Sequence, residues 1–357
     1  MDRAPSELLR LLPAAPAALL AMQDRDDGAL QPPIRAELFG PQRFAQHGRS
    51  LGDTHQATRG GAGAASFFPR LRSNISVLRQ ARHYIGAQAA SGYDISPAAE
   101  WLLDNFHLIE AQIKEIHEGL PSRYFRALPL LIAEPLAGLP RIYGVAWAFV
   151  AHTDSAFDAE LLQAFLNAYQ ETRELTLGET WALPTTLRVV LIENLRRLAE
   201  RVATQKAARE LANLFCDRLD ACSLHALDQL HRTMQRRGVG PVFLAQLALR
   251  LHDRSTVDQG HVQGWLLDWL HRALPDPAAL QAQLSADQTA DNLSVSNAVN
   301  SLRAIAAADW PELIAHTSSL MRLMLGAPVF AAEHSQTRDQ SLHRIERLAR
   351  RSGRSEL

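Results

Sequence analysis

Apolar residues recur at steps of three and four along most of this chain, and one stretch shows the pattern with both ends marked. From Ser96 to Pro121, the residues Leu102, Phe106, Ile109, Ile113, Ile116 and Leu120 form a single stripe at helical spacing. Ser96 is placed to accept a backbone N–H as N-cap, and Pro97 stands at the first helical position, where a missing N–H does no harm. Gly119 is placed to take a left-handed cap, and Pro121 stops the chain from continuing. The pattern predicts one helix over 97–118, about which the rest is organised. Trp101 and Leu103 widen the stripe, so more than one side is expected to be buried, and Glu110 and Lys114 are spaced to pair on the wet face.

The same period predicts further helices. Leu71, Ile75, Leu78, Ala81, Arg82 and Ile85 carry one from Phe67 to Ala89, broken at Ser91-Gly92. Pro121, Pro129, Pro135 and Pro140 then predict short helical turns and no strands. Residues 142–152 are apolar on all sides, and Asp158 is placed to cap a helix whose inner face is Leu161, Leu162, Phe165, Leu166 and Tyr169. Thr176-Leu-Gly-Glu179 is a capping box, with a hydroxyl at the N-cap and a carboxylate three residues on. It opens a long helix lined by Leu187, Leu191, Leu195, Leu198 and Val202, with a kink expected at Pro184. Helical pattern continues from 207 to 237, where Gly238 and Gly240 end it, and recurs over 241–252, 262–274, 277–284, 295–308, 311–325 and 338–351, the last capped by Thr337.

No alternating run is long enough for a strand, so the expected class is all-α, a bundle of mostly antiparallel helices joined by short loops. The expected division is a flexible N-terminal segment over 1–66, a helical domain over 67–237, and a second helical part over 238–357. Within the first, Arg59 to Ser66 is a linker by composition, and a short helix is expected over 34–51 with Leu38, Phe39 and Phe44 as its apolar contacts. No solenoid repeat recurs.

Composition narrows the function. The chain has 357 residues, 47% of them hydrophobic, which supplies a large core. Lys plus Arg is 37 and Asp plus Glu is 38, a net charge of −1, so no field favours nucleic acid as a partner. Cys216 and Cys222 stand six apart, pointing to different faces of a helix, which argues against a disulfide and for a reducing compartment. The longest apolar run, 142–151, is too short to span a bilayer. The alanine-rich stretch from Leu8 to Met22 has the look of a signal peptide's middle region, but Arg10, Pro13 and Pro16 interrupt it.

Catalytic patterns are missing from the sequence. There are 14 histidines, yet no HExxH occurs, and His107 and Glu110 stand in the reverse order to a di-iron Glu-x-x-His. Cys216, Cys222 and His225 lack zinc spacing. Asp24-Arg25-Asp26 imitates the acidic pair of nucleotide-sugar transferases but lies in a polar stretch ahead of Pro32-Pro33, with no rigid strand end behind it. No GxSxG, P-loop or GxGxxG is present. We therefore assign no catalytic, cofactor-binding or metal-binding residue. Trp101, Phe106, Ile109, Ile113, Trp147 and Trp181 are expected to serve the core or an interface, where large aromatic and branched side chains usually work.

Several stretches together carry a resemblance. They are Phe68-Pro-Arg-Leu-Arg-Ser-Asn74, Pro97-Ala-Ala-Glu-Trp-Leu-Leu-Asp-Asn-Phe-His-Leu-Ile-Glu110, Ile113-Lys-Glu-Ile116, Ala148-Phe-Val-Ala-His-Thr-Asp154, Leu175-Thr-Leu-Gly-Glu-Thr-Trp-Ala-Leu-Pro184 and Ile192-Glu-Asn-Leu-Arg-Arg-Leu-Ala-Glu-Arg201. The chain resembles the N-terminal region of bacterial cyclic β-1,2-glucan synthases from about Ile34 to Leu357, most densely from Phe67 to Leu219. The resemblance implies a leading helical region of a very large inner-membrane protein. There a glycosyltransferase using UDP-glucose and a divalent metal, membrane helices, and glucoamylase-like and phosphorylase-like domains all lie downstream. The implied cofactors and catalytic residues are thus outside this stretch, and its implied partners are the downstream transferase and membrane domains. Arg338, Arg344, Arg347, Arg350, Arg351 and Arg354 crowd the end nearest the implied first span, which suits the cytoplasmic side of the inner membrane. Two functions follow as expectations: a non-catalytic region bracing or regulating the transferase, or an independent helical module that binds protein or glucan.

Overall fold

A computed structural model describes residues 35–58, 67–119, 121–133, 135–219, 223–257 and 264–357. The fold is all-α apart from two two-residue strands, as the helical periodicity predicts. In chain order the elements are α1 Pro41–Thr54, β1 Ala57–Thr58, α2 Phe67–Ala90, α3 Pro97–Asp104, α4 Phe106–Gly119, α5 Ser122–Phe125, β2 Leu130–Leu131, α6 Arg141–His152 and α7 Ala159–Gln170. They continue as α8 Leu177–Asp217, α9 Leu224–Arg236, α10 Gly240–Val257, α11 Gly264–Ala273, α12 Pro277–Ala307, α13 Trp310–Thr317, α14 Ser319–Leu325, α15 Pro328–Ala332 and α16 Ser335–Ser352. Asp24-Arg25-Asp26, the stretch from Leu8 to Met22, the linker over 59–66 and Cys222 lie outside the described residues.

The helix expected over 97–118 is two helices, α3 and α4, parted at Asn105. The apolar stripe survives the break: Leu102, Phe106, Ile109, Ile113 and Ile116 are all buried. Asn105 is poor at holding a helix interior because its side chain bonds elsewhere. Here its Oδ1 accepts from Arg303 Nη2 at 2.5 Å, while its carbonyl starts α4 by accepting from Leu108 N–H at 3.0 Å. At the front of α3, Ser96 Oγ accepts from Ala99 N–H at 3.3 Å, the cap read from the sequence. At the far end Gly119 is helical, not left-handed. A Cβ there would stand 3.0 Å from Thr185 Oγ1, so this glycine admits a close neighbour. Lys114 lies 3.8 Å from Glu118.

Other boundaries move for local reasons. The capping box opens α8 as expected, and the helix runs 41 residues through Pro184. The pattern over 207–237 is interrupted, because α8 ends at Asp217 and Ser223 Oγ caps a new helix by accepting from Ala226 N–H at 3.3 Å. Gly238 stops α9 with φ +70°. The two helices expected over 277–308 are one, α12, while 311–325 splits where Ser318 Oγ accepts from Met321 N–H at 3.3 Å. His334, not Thr337, stands at the N-cap of α16. The proline-rich passage holds β2, which pairs antiparallel with β1, Ala57 opposite Leu131 and Thr58 opposite Leu130.

Contacts divide the described chain into two compact units interleaved in sequence. One comprises Val77–Asp104 and Arg196–Val295; the other takes residues 35–76, Asn105–Leu195 and Ser296–Leu357. In the second, α6 is buried along nearly its whole length, including Ile142, Tyr143, Val145 and Phe149. In the same unit α1 lies against α7 through Gly48 and Gly52, one turn apart. A Cβ on Gly48 would stand 2.7 Å from Phe165 O, and one on Gly52 would stand 2.2 Å from Thr172 Oγ1. Two bare backbones a turn apart let the helices approach closer than side chains allow. A small cluster of Leu177, Leu320, Phe330 and Leu342 gathers the start of α8 with α14, α15 and α16.

Candidate functional site

A buried polar site in the second unit is built at the first turn of α8. Thr176 and Glu179 satisfy each other: Thr176 N–H donates to Glu179 Oε2 at 2.9 Å, and Glu179 N–H to Thr176 Oγ1 at 3.3 Å. Arg141, the first residue of α6, grips the same carboxylate from both sides. Its Nε stands 2.8 Å from Oε1 and its Nη2 2.5 Å from Oε2, while Nη2 also reaches Glu174 O at 2.9 Å. Glu179 is fully buried and Arg141 nearly so. Burial works against the Arg141 charge, but the hydrogen-bonded Glu179 carboxylate overrides it and holds the guanidinium pKa above its ordinary value. A cleft of about 230 Å³ opens beside the pair, lined by Arg141, Glu174, Thr176, Ser319, Leu320 and the end of the chain, Ser355 to Leu357.

A second buried carboxylate, Glu193 on α8, ties three helices together. It accepts from Arg70 and from Asn74 Nδ2 at 2.9 Å, both on α2, and from Tyr143 Oη at 2.8 Å on α6. Burial raises the Tyr143 pKa, and the Glu193 charge raises it further, so the phenol stays a donor. Glu179 and Glu193 are therefore spent on holding helices in register.

A third group surrounds α1. Phe39 stacks on His152 with centroids 3.9 Å apart, and His152 lies 4.7 Å from the His47 ring. His55 Nδ1 stands 3.1 Å from Tyr169 Oη. Burial, with His152 beside it, lowers the His47 pKa; burial, then Arg141, Arg173 and His47, lowers that of His55 to about 4. A folded pKa below the unfolded 6.5 means that stability is full above pH 6.5 and is lost as pH falls from there toward 4. We expect the urea midpoint to drop between pH 7 and pH 5, and His55→Asn to flatten that slope. A slope unchanged in the variant would refute the assignment.

The first unit holds smaller groups. Tyr84 Oη donates to Glu210 at 2.9 Å, and Arg201 pairs with Asp291 at 3.0 Å. Lys206 Nζ sits 5.2 Å from the Tyr93 ring, and burial lowers its pKa. Among the described residues no group of His, Cys, Asp and Glu is arranged to hold a metal ion.

Of the residues singled out from the sequence, Phe106, Ile109 and Ile113 are buried, and Trp147 and Trp181 are half-buried, with Trp181 packed 4.4 Å from His343. Trp101 is 37% exposed, so it does not widen the buried stripe as its spacing suggests. The structure does not gather these six into one site. Arg141 and Glu356 carry no local sequence signal for these contacts. Glu179 carries one, its place in the capping box, and Glu193 carries only an i,i+4 spacing to Arg197, which does not point to Arg70, Asn74 and Tyr143.

No protein-family model matches the chain. Among curated proteins, cyclic beta-(1,2)-glucan synthase NdvB of Rhizobium meliloti (strain 1021) is 34% identical to it over 337 residues. That match covers 90% of this chain and 11% of the relative, so the chain spans about a tenth of the length of the curated protein it matches. Together with the stretches quoted from the sequence, this match makes the chain a relative of one segment of a cyclic β-(1,2)-glucan synthase.

Proposed function

We propose that this chain is a non-catalytic helical region of a cyclic β-1,2-glucan synthase, bracing or regulating a transferase that lies in the rest of such a protein. The observation that carries this reading is the extent of the match: nearly all of this chain against a small part of a much longer protein. Two further features support it. The buried carboxylates Glu179 and Glu193 are engaged by arginine, asparagine and tyrosine side chains of their own unit. Among the described residues, no helix is long and apolar enough to cross a membrane. On this reading, UDP-glucose and a divalent metal bind in the downstream transferase. The region stands on the cytoplasmic side of the inner membrane, its partners being the transferase and membrane domains of the same protein.

The isolated chain, incubated with labelled UDP-glucose and a divalent ion, is expected to form no polymer. A full-length synthase lacking this region is expected to lose glucan synthesis with its transferase residues intact. A reporter joined after Leu357 should be active only as a cytoplasmic type. Turnover by the isolated chain that a substitution within it abolishes would overturn the reading. So would undiminished synthesis by the deleted enzyme, or export of the reporter. Deleted enzyme of full activity, with the isolated chain retaining glucan, would favour an independent binding module instead.

A further inference from the structure

We propose that the cleft at the start of α8 is a seat for a strap, residues 354–357, with the Glu356 carboxylate as its latch. The argument begins with the unmet hydrogen bonds of a helix start. The first four N–H groups of α8 have no acceptor within the helix. The capping box satisfies the third of them, Glu179 N–H, through Thr176 Oγ1 at 3.3 Å. It does nothing for the first, Leu177 N–H. That group donates instead to Glu356 Oε2 at 2.7 Å, a carboxylate 179 residues away in sequence. A carboxylate there also faces the positive end of a 41-residue helix dipole.

The approach of the strap is built, too. α16 ends at Gly353 with φ +69°, a left-handed turn that suits glycine and redirects the chain. Ser355 Oγ then donates to Glu174 Oε2 at 3.4 Å, and Leu357 lines the cleft with Leu320 and Pro129. The strap thus touches both sides of the cleft, beside the Arg141–Glu179 pair that joins α6 to α8. Release of Glu356 exposes the first turn of α8 and opens the cleft to water. One consequence rests on the proposed function: if the chain continues as in the longer relative, it leaves the bundle through this latch. A displacement of the downstream part then acts first on Glu356.

Hydrogen exchange resolved at single amides tests the latch on the chain as it stands, with no glucan synthesis in the readout. In Glu356→Ala the Leu177 amide is expected to exchange at least about tenfold faster, with Glu356→Gln between it and wild type and the Glu179 amide unchanged. A chain lacking residues 354–357 should regain protection at Leu177 when the acetylated peptide Arg-Ser-Glu-Leu is added, and not with Arg-Ser-Gln-Leu. Equal exchange at Leu177 in wild type and Glu356→Ala overturns the proposal. So does acceleration spread evenly along α8, which would make Glu356 a contributor to general stability only.

Discussion

Arg141→Ala is expected to cost roughly 3–5 kcal/mol of folding stability, as breaking a buried ion pair by removing one partner does. The substitution leaves the Glu179 carboxylate fully buried with its bidentate cation gone. It also frees Glu174 O from Arg141 Nη2. Glu179→Ala should cost a similar amount, since it strands Arg141 and removes the acceptor of Thr176 N–H. The pair itself is worth less than either loss. Arg141→Ala combined with Glu179→Ala should therefore fall well short of the sum of the two single losses, because no uncompensated charge remains. Urea melts of wild type, both single variants and the double variant complete the cycle. Losses in both single variants below about 1 kcal/mol, or a double variant that is fully additive, would show that the pair is open to water and does not hold α6 to α8.

Phe106→Ala is expected to cost roughly 3–5 kcal/mol, the range for removing a buried aromatic ring. Phe106 is 6% exposed and opens α4, followed on the same face by Ile109 and Ile113, which are 0% and 2% exposed. Removing the ring leaves a cavity at the point where the chain turns from α3 into α4, next to an Asn105 already held by Arg303. The less the surroundings collapse into that space, the closer the cost comes to the upper end. Denaturant melts would decide it, and a loss below about 1 kcal/mol would falsify the buried placement of this face. Trp101→Ala is a useful contrast, since that ring is 37% exposed and its loss should be smaller.

These effects trace back to how much could be read from residue order. The apolar stripe of α3 and α4 was legible because burial selects residues every three or four positions, whatever lies opposite. The caps at Ser96, Asp158 and Thr176 were legible because capping is a contact within three residues. The break at Asn105 was not, since the partner that holds its side chain, Arg303, stands 198 residues away. Trp101 shows the limit of a stripe: spacing says which residues share a face, while only the neighbouring elements say how wide the covered face is. The Gly48–Gly52 pair is a sequence signal of another kind, because two glycines one turn apart mark a close helix approach when another helix is there to receive it.

By itself the sequence determined the helical class, most helix starts, the large apolar core and the kinship to a glucan synthase segment. All of these are carried by short-range period, by caps or by long runs of matching residues. The tertiary structure alone decided the polar architecture. Arg141 meets Glu179 across 38 positions, Arg70 meets Glu193 across 123, and Leu177 meets Glu356 across 179. A long-range ion pair leaves no periodic trace in a chain, since a lone arginine or glutamate on a helix reads as surface until folding closes the loop between the partners. The physical reason is that burial follows from the average character of a face, whereas a buried charge is tolerated only where one particular partner arrives.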